Sequence, residues 1–183
     1  MTTPPPGPVR LEADGLVLRA YGPADVPDLD AAFADVEIAR WSPAPAGPDP
    51  AEAFIRSRND WSEGDHASWA IADAADRLVG SVSVHRMDRV QGDAQIGYWV
   101  APWARRQGYA VRAVRLATRF AVSELGMHRL ALYHAVANPG SCAVATAAGF
   151  RLEGTMRESY LYADGVHHDE HVHGLLARDV LPG

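Results

Sequence analysis

The sequence contains no lysine: all seventeen of its basic residues are arginine. Alanine is abundant throughout, so this absence points to codon bias as much as to function. A single cysteine, Cys142, is present. It excludes an intramolecular disulfide framework, leaves no cysteine-based metal cluster and fits a reducing compartment. The net charge of -6 lacks the basic excess that a phosphate backbone demands, which argues against a general nucleic-acid binder and mildly favours a cationic substrate. No apolar run approaches the roughly 18–20 residues that a bilayer-spanning helix needs, so no membrane association is expected. The first ten residues carry Pro4, Pro5, Pro6 and Pro8 where a signal peptide would need a basic start and an apolar helix. Residues 1–10 therefore read as a flexible tail and the protein as cytoplasmic.

What remains, residues 11–183 with about half of all positions apolar, suffices for one domain with a sizeable core. Gly15 to Ala20 alternates as a strand, and Pro23-Ala24-Asp25 opens a helix with Val26, Leu29, Phe33 and Val36 on its apolar face. After the turn-rich residues 42–50, a second helix runs from about Ala51 to Trp61 with Phe54 and Ile55 inward. Ala67–Ala72, Leu78–Arg86 and Ala94–Val100 are short β-prone runs parted by polar turns, as in an antiparallel meander. Arg106 to Leu125 has the apolar spacing of the longest helix, with Val111, Val114, Ala117, Phe120 and Ala121 on one face. Arg129–Val136 returns to a strand and Pro139–Ala148 to a helix. From Phe150 two strands follow, joined around Asp164-Gly165, a favourable hairpin pair. The order β-α-α-β-β-β-α-β-α-β-β predicts an α/β domain with a single mixed, largely antiparallel sheet flanked by helices. The long helix makes the strands ending at Val100 and starting at Arg129 parallel neighbours.

Between that strand end and the long helix lies Arg105-Arg106-Gln107-Gly108-Tyr109-Ala110. A helix start leaves backbone N–H groups without internal partners, and its dipole favours negative charge, so a pyrophosphate can be held there. Gly108 lets phosphates approach the backbone, Arg105 and Arg106 add charge-assisted contacts, and Ala110 leaves room.

With the Ile96-Gly97-Tyr98-Trp99-Val100 strand before it, Asn138 and Ser141 after the next strand and Gly149-Phe150 after the next helix, this segment resembles the GNAT acetyltransferases, within them the RimJ/RimL-like group that includes ribosomal-protein N-terminal acetyltransferases. Arg105, Gly108 and Ala110 match the family's loop pattern, and the resemblance covers about Gly15 to Arg178. It implies acetyl-CoA as co-substrate, held by Val100, Arg105, Arg106, Gln107, Gly108, Tyr109, Ala110, Asn138 and Ser141 where two strands splay, and no metal.

The implied reaction is direct attack of a primary amine on the thioester in a ternary complex. Ser141 is the candidate general acid for the leaving thiolate; many relatives use a tyrosine later on this helix, but Ala145 stands there. Many members carry glutamate where this chain has Gln95, which cannot accept a proton. His134 is the first substitute as general base, with Asp93 and Glu158 behind it. Cys142 lacks a clear histidine and acid partner in sequence and reads as packing. His167, His168, His171 and His173 read as surface or substrate-facing, although His171 and His173 can share a strand face. Trp41 and Gln95 are candidate acceptor-side residues. The expected partner is an amine, either a peptide N-terminus or a small molecule, with homodimerisation through the C-terminal hairpin's edge possible. A non-catalytic acyl-CoA-binding module is the competing reading.

Overall fold

The computed structural model describes residues 7–180. The expected tail falls largely outside them. Of its described part, the Val9 carbonyl accepts a hydrogen bond from the Trp69 indole at 2.8 Å, so the chain is tied down before residue 11.

Among the described residues eight strands form one sheet in the order β1-β2-β3-β4-β5-β6-β8-β7. They are β1 (Leu11–Ala13), β2 (Leu16–Arg19), β3 (Ala67–Ala72), β4 (Leu78–Asp88), β5 (Asp93–Val100), β6 (Arg129–Ala135), β7 (Arg151–Leu161) and β8 (His167–Leu176). The helices are α1 (Val26–Phe33), α2 (Val36–Trp41), α3 (Pro50–Asn59), α4 (Tyr109–Ser123), α5 (Pro139–Ala148) and the short α6 (Ala177–Val180). Every sheet pairing is antiparallel except β5 with β6. The expected mixed sheet and the expected parallel pair are both present.

Two differences from the sequence reading have local causes. Asp14 and Gly15 both take positive φ, so the strand expected at Gly15–Ala20 is preceded by another, β1, across an Asp-Gly turn of the same kind expected at Asp164-Gly165. The first helix is also two helices. The Asp35 side chain accepts from the Ile38 N–H at 3.0 Å and starts α2 afresh. Val36, expected on the buried face, is therefore exposed.

The sheet carries one apolar core on each face. On one, Ala94, Ile96, Leu130 and Leu132 pack under Val114, Ala117 and Ala121 of α4. On the other, Trp99 meets Leu29 of α1 and Phe54 of α3, with the rings of Phe33 and Phe54 edge-on at 5.4 Å. Each fully buried leucine of this kind contributes about 1.5–3 kcal/mol, and together these side chains clamp β5 from both sides. Among the described residues no helix is long and apolar enough to cross a membrane.

Candidate active site

The parallel β5–β6 ladder is short. It pairs Asp93, Ala94 and Gln95 with Arg129, Leu130 and Ala131 and goes no further. From Ile96 to Val100, β5 keeps only β4 as partner, while β6, paired with β8 along its whole length, has only β8 from Leu132 to Ala135. The sheet thus opens between β5 and β6, and the β5 edge facing the gap is left without a strand partner.

At the open end β5 passes through Ala101 and a one-turn 3-10 helix, Pro102–Ala104, into α4. Arg106 has φ 61° and Gly108 φ 76°, so the loop alternates into left-handed conformation before the helix begins. Such alternation turns successive N–H groups to one side. Gly108 caps α4 without any side-chain hydrogen bond, which leaves the first-turn N–H groups for a ligand. The loop's shape is held from within: Gln107 Nε2 donates to the Trp103 carbonyl at 3.3 Å, and Arg112 donates to the Gln107 carbonyl at 3.2 Å. Arg112 also lies over the Tyr109 ring.

The two loop arginines differ. Arg105, expected on phosphates, is ion-paired with Asp35 at the start of α2. Burial pushes the Asp35 carboxyl upward, yet the Arg105 guanidinium and the Ile38 N–H hold it below the usual carboxylate range. Arg105 thus ties the loop to the N-terminal helices. Arg106 is exposed and has no ion pair among the described residues.

Across the gap, Asn138 caps α5 through Oδ1, which accepts from the Ser141 N–H at 3.1 Å. Its amide nitrogen is not used by that cap. The Ser141 hydroxyl lies 2.8 Å from the Tyr98 hydroxyl. Tyr98 comes from β5 and Ser141 from α5, so this contact joins the two sides of the opening. Burial raises the Tyr98 phenol to about 12, against the opposing pull of the Ser141 hydrogen bond, and Tyr98 stays protonated at neutral pH. Sequence reasoning quoted Tyr98 within a strand motif and missed it as a functional group. The available signal was parity: in 96–100 it shares the face of Ile96, toward α4 and α5.

On the opposite face Gln95, Gly97 and Trp99 alternate. A Cβ at Gly97 would stand 2.9 Å from the His85 ring, so glycine here makes room for an imidazole that sequence reasoning also missed. His85 contacts the Ser83 hydroxyl at 3.2 Å. Burial, reinforced by Arg58 and Arg86, lowers its pKa to about 4, so it is neutral at pH 7. Trp41 stands where α2 meets the C-terminal hairpin, its ring edge-on to Tyr162 at 5.2 Å and near His168 at 6.3 Å.

The expected bases do not stand at the opening as free proton acceptors. His134 is buried; its Nδ1 lies 2.8 Å from the Ala135 carbonyl and its Nε2 3.1 Å from His173 Nε2. Burial holds both imidazoles below their ordinary range. The pairing of β6 with β8 turns His134 into this pocket, a register that sequence could not supply. Asp93 begins β5, at the end of the strand away from Val100. Glu158 is exposed at an irregularity of β7, the outermost strand. His167 is exposed and His168 is paired with Asp164, but His173 is fully buried and His171 partly so, correcting the surface reading of the last two.

A strand edge that opens beside a glycine-led helix start offers backbone N–H groups to an anionic ligand, and the comparison with known proteins names the family. A family model described as an acetyltransferase (GNAT) domain matches residues 15–151. The chain belongs to the GNAT acetyltransferase family. It is 39% identical over 102 residues to YdaF of Bacillus subtilis (strain 168), provisionally named a ribosomal N-acetyltransferase, across 56% of this chain and 55% of that one. It is 29% identical over 89 residues to the ribosomal-protein-serine acetyltransferase of Escherichia coli (strain K12), across 49% of this chain and 50% of that one. The chain thus spans about half the length of these two relatives, and they place it with the RimJ/RimL-like group. Among solved structures, a spermidine N-acetyltransferase from Vibrio cholerae in complex with CoA and spermine matches with a TM-score of 0.77 at 21% identity, over 91% of this chain and 98% of that one. That likeness shows the shared fold.

Proposed function

We propose that this GNAT member transfers the acetyl group of acetyl-CoA to the α-amine of a peptide or protein. The Tyr98–Ser141 hydroxyl pair across the β5–β6 opening carries the reading. Pantetheine would run along the unpartnered edge of β5 to Val100 and past the Asn138 amide. The pyrophosphate would meet the backbone N–H groups of Gly108, Tyr109 and Ala110, with Arg106 free to swing onto it and Arg105 holding the loop in place through Asp35.

In the reaction the amine nitrogen attacks the thioester carbonyl, the C–N bond forms and the C–S bond breaks. The thiolate takes a proton from Ser141, which Tyr98 resupplies through the shared hydrogen bond. The nitrogen's surplus proton goes to solvent, and solvent returns one proton to Tyr98 before the next turnover. An α-amine with a pKa of about 7.7–8 is substantially neutral near pH 8, whereas a lysine-type amine near 10.4 needs a base. Gln95 cannot serve as that base and His134 has both nitrogens engaged. This supports the α-amine over a lysine side chain or a polyamine, as do relatives named for ribosomal proteins. Trp41, with Tyr162 and His168, would line the acceptor's path.

The edge strand β7 exposes Leu152, Met156 and Tyr160, which supports pairing of two copies along it; light scattering would read the mass. The test of function is acetyl-CoA-dependent thiol release over a panel of peptides with different N-termini, N-blocked lysine peptides and small amines. Turnover confined to free α-amines is expected. Silence across the panel in a protein that binds acetyl-CoA would favour a non-catalytic acyl-CoA-binding module.

A further inference from the structure

The register of β6 against β8 builds a second cluster, on the face that α5 covers. His134 stands opposite His171, and Leu132 opposite His173, so three imidazoles gather on one face of two strands. Their rings lie 5.1 to 6.1 Å apart. Cys142, on the first turn of α5, completes the set, and one nitrogen from each histidine and the cysteine sulfur all lie within 4.8 Å of one another.

We propose that His134, His171, His173 and Cys142 form a binding site for one divalent transition-metal ion of zinc's class. Zinc–nitrogen bonds of about 2.0–2.1 Å and a zinc–sulfur bond of about 2.3 Å put tetrahedral ligand atoms roughly 3.3–3.7 Å apart. The His134–His173 separation of 3.1 Å is already close to one edge of that tetrahedron, and the other ligands need to close by up to about 1.5 Å. The His134 Nδ1–H donates to the Ala135 carbonyl, which directs the Nε2 lone pair into the cluster; metal-bound histidines are typically held by such a backbone acceptor.

A second observation points the same way. The Nδ1 atom of His171 is buried without any hydrogen-bond partner, and the neighbouring His173 is fully buried. A neutral imidazole pairs one N–H with one lone pair at a time, whereas an ion draws on several lone pairs at once. A nitrogen- and sulfur-rich donor set with no oxygen excludes Mg²⁺ and Ca²⁺ and selects Zn²⁺, Co²⁺ or their neighbours. Four protein ligands leave no open position, so the ion would be structural. It would join the first turn of α5, and with it Ser141, to β6 and β8. Binding would convert the Cys142 thiol to thiolate and release its proton.

Untagged, chelator-treated full-length protein titrated with Co²⁺ tests this. The expected result is one ion per chain, intense tetrahedral d–d absorption, a thiolate-to-cobalt charge-transfer band, about one proton released, and displacement by Zn²⁺. Cys142→Ser should abolish the charge-transfer band, and His171→Gln should weaken binding at least about tenfold, each in a protein whose circular dichroism matches the wild type. Wild-type protein that develops no thiolate band, or that titrates like the His171→Gln variant, would overturn the site. The spectrum requires no acetyl transfer, so it fails or succeeds independently of the proposed activity.

Discussion

On the cofactor side of the β5–β6 opening, the expected ligand groups come mainly from one continuous stretch: the end of β5, the loop 105–108 and the start of α4. On the acceptor side they come from α2, β4, β5 and the β7–β8 hairpin, segments far apart in sequence that meet only because the sheet brings them together. The first side uses backbone N–H groups and local conformation, which tolerate variation in side chains. The second uses individual side chains whose neighbours are set by register. A change on the first side should act on every acceptor alike, and a change on the second should act through one contact at a time.

The largest effect is expected where the two sides join. Ser141→Ala and Tyr98→Phe should each lower kcat by about 100-fold or more, within the range of general-acid catalysis, a far larger effect than on acetyl-CoA affinity. If the hydroxyls work as one relay, the double variant should lose little beyond either single one. Pre-steady-state kinetics of thiol release would show this, and additive losses would separate the two roles.

Next comes His85, under Gly97 on the face of β5 that carries Gln95 and Trp99. Its folded pKa of about 4 lies below the imidazole's ordinary 6.5, so the unfolded chain binds more protons between these values and stability rises with pH across that window. The contribution is complete above about pH 6.5 and is lost as pH falls toward 4, with an upper figure of about 3 kcal/mol. His85→Gln should flatten this acid limb in urea denaturation at pH 4.5 and 7. An unchanged slope would contradict the buried, neutral histidine.

Gly108→Trp should weaken acetyl-CoA binding by at least about tenfold, or 1.4 kcal/mol, and do so equally with every acceptor present, as calorimetry would read. The smallest change belongs to Trp41→Ala, expected to raise the acceptor KM a few-fold, below about 1 kcal/mol, with the acetyl-CoA KM untouched. A matching rise in both would dissolve the distinction between the two sides.

The same distinction explains what could be read from the sequence. Helix periodicity, the Asp164-Gly165 turn and the glycine-led loop are local signals, and the meander, the parallel crossover and α5 followed from them. Asp35, which breaks the first helix, and the Asp14-Gly15 turn were legible signals that went unused. His134 was different: its place on β6 was apparent, but its partners depend on pairing with β8, so a candidate base became a buried imidazole facing two others. Arg105 likewise found Asp35, seventy residues earlier, through a contact that no local pattern encodes. Tyr98 lay between these cases, with its face fixed by strand parity and its partner Ser141 fixed only by the fold.

The most direct test offers acetyl-CoA with two peptides of equal sequence, one with a free N-terminus and the other N-blocked but carrying a lysine, and follows each by intact mass at pH 7.5. The account predicts a single added acetyl group on the free peptide and none on the blocked one. Acetylation of the lysine peptide alone, or of neither when acetyl-CoA binding is verified, would contradict it.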